Sequence, residues 1–301
     1  MVSIKTVAVL GGSGNLGPAV VSELLTAGFT VTGITRELST NSTPKFPDHL
    51  AVRKVDYTSF DSLKAAFQGQ DAVVSTIATL AIGVQKTAVD AAIAAGVKRF
   101  IPSEFGVNTR KVRDQTIGRI LAGKIGLVDY LIEKEGEISW TALGTGLFFD
   151  WGLGTGSLGV DVKGKKFEVI DSGNEKFQGS TLPQIGRAVA GVLKHPEETK
   201  NKYLLTSSFN VSQNDIFAVV KELTGAEYEV KKFDSKELKR VGEEKLAQGN
   251  FGAFHELLRV YLYADGADNH IKPEESADEL LELPKEDLKE VIADSLKLGA
   301  I

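Results

Sequence analysis

Glycine recurs at positions 11, 14 and 17, directly after the apolar run Thr6-Val7-Ala8-Val9-Leu10 and just before a helix-compatible stretch that opens at Pro18. This pattern narrows the fold more than any other feature of the chain. Gly11 permits a tight turn, Gly14 lets a pyrophosphate approach the backbone, and Gly17 lets the next helix pack close to the strand. Gly12, Ser13, Asn15 and Leu16 complete the loop. The free N–H groups and positive dipole at the helix start then suit phosphate. A glycine-rich turn with no ligand is the competing reading, since the spacing alone matches many turns. A strand before and a helix after favour the dinucleotide loop.

Alternation continues from there. Helix signals cover residues 18–27, closed by Gly28, with proline near the start and glycine past the end. Strands are expected at 29–35, 50–55, 71–77, 98–102 and 138–143, an alanine-rich helix at 85–95, and a long helix at 117–134. Continuous apolar strands separated by helices predict an α/β fold with a doubly wound parallel sheet of the Rossmann type. Ligands in such sheets lie beyond the carboxyl ends of the strands.

Composition changes after residue 150. Residues 151–164 are rich in glycine and read as a loop over a pocket. Strands are expected at 165–170 and 203–206 and a helix at 183–193. Ser212-Gln213-Asn214-Asp215 has the form of a capping box ahead of a helix ending near Gly225. The expected division is a dinucleotide-binding domain at 1–150 and a smaller α+β substrate-binding domain at 151–301. Part of the second, about 180–215, is expected to pack back on the first. The helical surface near the C-terminus could serve a homodimer or be solvated.

The chain has no cysteine, which excludes disulfides, thiolate metal sites and cysteine nucleophiles. Its four histidines, His49, His195, His255 and His270, match no metal-ligand spacing. A net charge of -5 gives no electrostatic reason to expect nucleic acid or an anionic membrane. No stretch is long and apolar enough to span a bilayer, and no secretory pattern is visible, so a cytoplasmic location is expected.

The second strand ends at Thr35-Arg36-Glu37. Arginine at this point suits the 2′-phosphate of NADPH, whereas an acidic residue would suit the ribose hydroxyl of NAD. Lys45, on the following loop, is a second candidate cation. The alternative for Arg36 is a solvated side chain paired with Glu37. In the helix at 117–134, apolar residues at 117, 120, 121, 125, 128, 131 and 132 form one stripe, and Lys124 falls in its middle. Burying an unpaired ammonium is costly. Either Lys124 snorkels to solvent or the stripe faces a cleft there, where burial would lower its pKa toward a range useful for proton transfer.

Three segments together resemble the isoflavone reductase-like group of the NmrA-like, atypical short-chain dehydrogenase/reductase families. They are residues 9–17, residues 97–106 (Val-Lys-Arg-Phe-Ile-Pro-Ser-Glu-Phe-Gly) and the helix that carries Lys124. The second matches the most specific signature of the group. The likeness extends through Thr35-Arg36, Ser75-Thr76-Ile77, Gln85 and residues 210–215, covering most of the first 225 residues. It implies an NADPH-dependent reductase with Lys124 as the catalytic lysine. It also implies that Arg36 and Lys45 contact the 2′-phosphate of NADPH/NADP+. Ser75, Thr76, Ile77, Gln85, Ser103, Glu104 and Phe105 would border the cofactor, and Thr145, Gly146 and Leu147 would lie beside the nicotinamide. The wider superfamily places tyrosine four residues before the lysine. Ile120 stands there in this chain, which agrees with the narrower group, since that group also lacks the tyrosine. The basic loop at 107–116 departs from plant members, and the overall style resembles fungal ones.

The expected activity is hydride transfer to a small aromatic, phenolic or polyketide-like metabolite, with Lys124 balancing charge on a substrate oxygen. Phe148, Phe149 and Trp151 would wall an aromatic substrate, with plain core packing as the alternative for each. Two other functions share the fold: a non-catalytic NADP(H)-sensing regulator that binds a protein partner, and a non-redox isomerase or cyclase using the same pocket.

Overall fold

A computed structural model describes residues 3–36, 46–47 and 50–297. The chain opens with β1 (Thr6–Leu10), α1 (Gly17–Thr26), β2 (Thr30–Arg36), β3 (Ala51–Val55), α2 (Phe60–Phe67) and β4 (Ala72–Ser75). A 3-10 turn (Thr79–Val84) leads into α3 (Gln85–Ala94), followed by β5 (Arg99–Ile101), α4 (Thr116–Ile120), α5 (Ala122–Glu133) and β6 (Ser139–Gly144). Next come β7 (Leu147–Phe148), α6 (Phe149–Thr155), β8 (Val160–Asp161), β9 (Lys166–Ile170), β10 (Phe177–Ser180), α7 (Leu182–Lys194) and β11 (Lys202–Leu205). The last part holds β12 (Phe209–Val211), α8 (Gln213–Thr224), β13 (Glu229–Phe233), α9 (Ser235–Ala247), α10 (Ala253–Tyr263) and α11 (Leu288–Lys297).

Among the described residues the main sheet has seven strands in the order β11-β6-β5-β4-β1-β2-β3. Every neighbouring pair is parallel. Strand order reverses at β1, which lies between β4 and β2 and so opens a crevice at its carboxyl end. Period-two alternation fills both faces. Val7 and Val9 pack with α1 and α7, whereas Ala8 and Leu10 pack with α2, α3 and α5. Burying each such valine or leucine contributes about 1.5–3 kcal/mol.

Late segments complete this layer. Helix α7 packs on α1, and β11 extends the sheet beside β6. The buried Arg99 guanidinium holds that edge. It donates to Ser139 Oγ at 2.9 Å, Thr141 Oγ1 at 2.8 Å, Thr199 Oγ1 at 3.0 Å and the Pro196 carbonyl. It thereby ties β5 and β6 to the segment preceding β11. Two small sheets, β12-β10-β7 and β13-β9-β8, share a separate core with α6, α8 and α10.

Three expectations are corrected. Residues 151–164 are not all loop, because α6 covers Phe149–Thr155, with Phe149 and Leu153 one turn apart and both buried. Gly156 then ends the helix at φ 73. The long helix expected at 117–134 breaks at Leu121, where φ is -90 and ψ is 8. Gly118 sits so close to the preceding turn that a Cβ there would lie 2.0 Å from the Val112 carbonyl oxygen, which fixes α4 against that turn. Ile132, counted on the apolar stripe, is exposed, because the stripe drifts around the helix beyond the contact.

Candidate active site

The loop between β1 and α1 is held by neighbours on both sides. The Gly11 N–H donates to the Ile34 carbonyl at 3.2 Å and to the Tyr57 hydroxyl at 3.0 Å. Gly11 has φ +74, and a Cβ there would press on the Thr76 carbonyl oxygen at 3.0 Å. A Cβ on Gly17 would lie 2.3 Å from the Gly12 carbonyl carbon, so only glycine allows α1 to begin here. Gly14 and Asn15 are exposed at the rim, whereas Gly12 and Leu16 are buried and Ser13 is half-buried. No side chain caps the first turn of α1, which leaves its N–H groups to an anionic ligand.

The ends of β4, β5 and β6 continue the same carboxyl edge. Thr76 donates to the Leu10 carbonyl from both N and Oγ1, each at 2.8 Å. Ser103 Oγ donates to the Ile77 carbonyl at 2.7 Å, and the Ser103 N–H donates to Gln85 Oε1 at 3.0 Å. Thr145 and Gly146 both donate through N–H to the Gly106 carbonyl, at 3.0 and 2.9 Å. The buried Ser75 Oγ, Gln85 Nε2 and Thr145 Oγ1 have no hydrogen-bond partner among the described residues. Such atoms are rare in a finished interior and fit a polar ligand lying across this edge. Together with the uncapped helix and exposed Gly14, they satisfy what a dinucleotide requires.

Arg36 ends β2 and is exposed, near enough to Tyr57 to help hold down a phenol that burial pushes up. Lys45 lies outside the described residues.

Beside this edge is a cleft open to solvent. It is lined by Glu104, Phe105, Gly106, Val107, Leu121 and Lys124, together with Thr79 and Thr109. Gly146, Leu147, Phe148, Trp151, Ser157, Phe254 and Leu258 line it as well. Phe149 is not part of it. The adjacent position on the chain turns inward, where its ring meets Phe209 edge-on at 4.8 Å. Sequence reasoning missed Phe254 and Leu258, whose spacing of one helical turn on α10 was a usable signal. It also missed Thr109 and Tyr203, for which no local signal exists.

Lys124 does not snorkel. It is 7% exposed, and its Nζ donates to the Glu104 carbonyl oxygen at 2.9 Å. Burial pushes its pKa below the ordinary ammonium value, and the Glu104 carboxyl opposes that. Burial in turn pushes Glu104 up, against the pull of Lys124, the Thr109 and Tyr203 hydroxyls, and Arg110. An apolar cleft with one buried amine can hold an uncharged ring and exchange a proton with an oxygen on it. No group of His, Asp or Glu able to hold a metal occurs among the described residues, and no helix there is long and apolar enough to cross a membrane.

Comparison with known proteins places the chain in a family. The profile of the NmrA-like family matches residues 3–283. The oxidoreductase aprR of Aspergillus flavus is 37% identical over 98% of this chain and 99% of its own length. The oxidoreductase poxI of Penicillium oxalicum is 32% identical over 95% of this chain and 92% of its own. A solved structure of AtPrR2 with NADP+ and (+)pinoresinol superposes with a TM-score of 0.79 at 22% identity, covering 98% of this chain and 99% of that one. At that identity the likeness speaks for the fold.

Proposed function

This chain belongs to the NmrA-like family, and from that premise we propose that it is an NADPH-dependent reductase of a small aromatic, phenolic or polyketide-like metabolite. The observation that carries the reading is Lys124, a buried amine lining an apolar cleft at the carboxyl edge of the sheet. Two fungal relatives named oxidoreductases support a redox activity, and the neighbour holding NADP+ and pinoresinol supports the cofactor and the substrate class.

In this reading residues 1–150 hold the dinucleotide and the later residues supply much of the substrate wall. The loop from Gly11 to Gly17 would take the pyrophosphate, and Arg36 the 2′-phosphate. Ser75, Gln85, Ser103, Phe105 and the Thr145-Gly146-Leu147 turn would line the remainder. When bound, NADPH supplies a hydride for an electrophilic carbon. Lys124 holds a proton at Nζ and gives it to the substrate oxygen, where negative charge would otherwise develop. Phe148, Trp151, Phe254 and Leu258 pack the ring and exclude water, which strengthens that proton interaction.

The test is NADPH consumption with a panel of conjugated aromatic carbonyl and phenolic compounds, comparing wild type with Lys124→Ala. On any accepted substrate, kcat should fall by about 10²–10⁴-fold. NADPH affinity, measured by calorimetry, should stay nearly constant. Undiminished turnover in the variant would remove Lys124 from the reaction. Absence of NADPH binding by wild type would remove the reductase.

A further inference from the structure

Glu104 meets the site in two ways. Its main-chain oxygen receives Lys124 Nζ at 2.9 Å. Its side chain is sealed in with two hydroxyls brought from elsewhere in the chain. Oε2 accepts from Tyr203 on β11 at 2.9 Å and from Thr109 Oγ1. The Tyr203 oxygen in turn accepts from the Thr109 N–H at 3.2 Å. Oε1 is buried with no hydrogen-bond partner among the described residues. The residue is 1% exposed, and Tyr203 is half-buried beside it.

A carboxyl taken this far from water is costly unless a cation compensates it. The charged and titratable groups around it are Lys124 from α5, Tyr203 from β11 and Arg110 from the loop before α4. Arg110 is 36% exposed and paired with Asp129 at 3.0 Å, so it is largely committed elsewhere. Lys124, for its part, has Glu104 as the charged group acting on it. Two buried groups of opposite ionisable type therefore sit side by side, joined at the Glu104 carbonyl.

We propose that Glu104 is the positioning residue for Lys124: its carboxylate, clamped by Thr109 and Tyr203, keeps the buried amine protonated and ready to donate. This rests on the reading of Lys124 as the proton donor, and it goes beyond a role for Glu104 at the cofactor border. A turn anchored by any polar side chain would hold the Glu104 carbonyl on Nζ equally well, but it would not hold the proton.

Glu104→Gln separates the two roles, because an amide oxygen still accepts from both hydroxyls while the charge is gone. The direct readout is the titration of Lys124 itself in protein labelled with [ε-13C]lysine, its resonance assigned by loss in Lys124→Met. In Glu104→Gln the Lys124 midpoint should move to lower pH by about one unit or more. Tyr203→Phe should move it the same way by less. On an accepted substrate, the alkaline limb of kcat/KM should follow the midpoint. An unmoved midpoint in Glu104→Gln overturns the proposal. Should that variant fail to fold, unmoved midpoints in both Tyr203→Phe and Thr109→Val overturn it. Lack of NADPH turnover in wild type would sink the reductase reading alone, because the NMR titration needs no activity.

Discussion

The Tyr57 hydroxyl accepts the Gly11 N–H at 3.0 Å and donates to the Ile34 carbonyl at 2.7 Å. One phenol from the end of β3 thus braces the first glycine of the loop against β2. The β1–α1 loop is shaped by a residue outside its own motif.

Removing that brace should loosen the loop without touching the cleft. Tyr57→Phe is expected to cost about 1 kcal/mol of stability, because Gly11 keeps its bond to Ile34 while the Ile34 carbonyl loses a donor. The NADPH dissociation constant should rise severalfold, with kcat at saturating NADPH little changed. Calorimetry and steady-state kinetics check this. A fall in kcat with unchanged NADPH affinity would contradict it.

Asp71 acts at the opposite edge of the sheet. Its Oδ2 accepts from the N–H groups of Lys5 at 2.8 Å and Thr6 at 3.0 Å, and its Oδ1 meets Lys98 Nζ at 2.6 Å. Burial pushes this carboxyl up, but the hydrogen bonds from Lys98, Thr6 and Lys5 together outweigh it and bring the pKa to about 2. A carboxylate whose folded pKa is depressed stabilises above its unfolded value, near 3.8. That stability is lost as pH falls through the folded value. Asp71→Asn should therefore lower stability at pH 7 by on the order of 1 kcal/mol, after discounting for partial exposure. The gap between variant and wild type should narrow from about pH 4 down to about pH 2. Chemical denaturation at several pH values reads this directly. A constant gap across that range would refute it.

Phe254 supplies part of the cleft wall from a helix far along the chain. Phe254→Ala removes ring contact from one side of a bound aromatic while leaving the carboxyl edge of the sheet untouched. The KM for an accepted aromatic substrate should rise about tenfold or more. The KM for NADPH should hold. Equal effects on both would mean that α10 supports the fold rather than the substrate.

The β1–α1 glycine loop, the parallel strands and the capped helix at Ser212 were legible because each is written in neighbouring residues. Glycine at 11, 14 and 17, apolar runs, and the Ser212–Asp215 capping box each act within a turn or a strand. The helix at 149–155 was misread for the same reason. Its glycines argue locally for a loop, whereas burial of Phe149 and Leu153 against a distant core decides otherwise. Lys124 was visible as an amine out of place on an apolar stripe. Periodicity reports only which face a residue occupies, so it could not say what that face meets.

The local pattern of residues determined a doubly wound sheet with a glycine turn at its first crossover, since hydrogen-bond and packing periods are properties of short segments. Packing across long separations decided that the Glu104 carboxyl meets the Thr109 and Tyr203 hydroxyls while its carbonyl takes Lys124, and that Phe254 and Leu258 line the cleft. The Glu104–Tyr203 hydrogen bond joins residues 99 positions apart. The energies of such contacts depend on burial and charge in the assembled interior, which no local segment encodes.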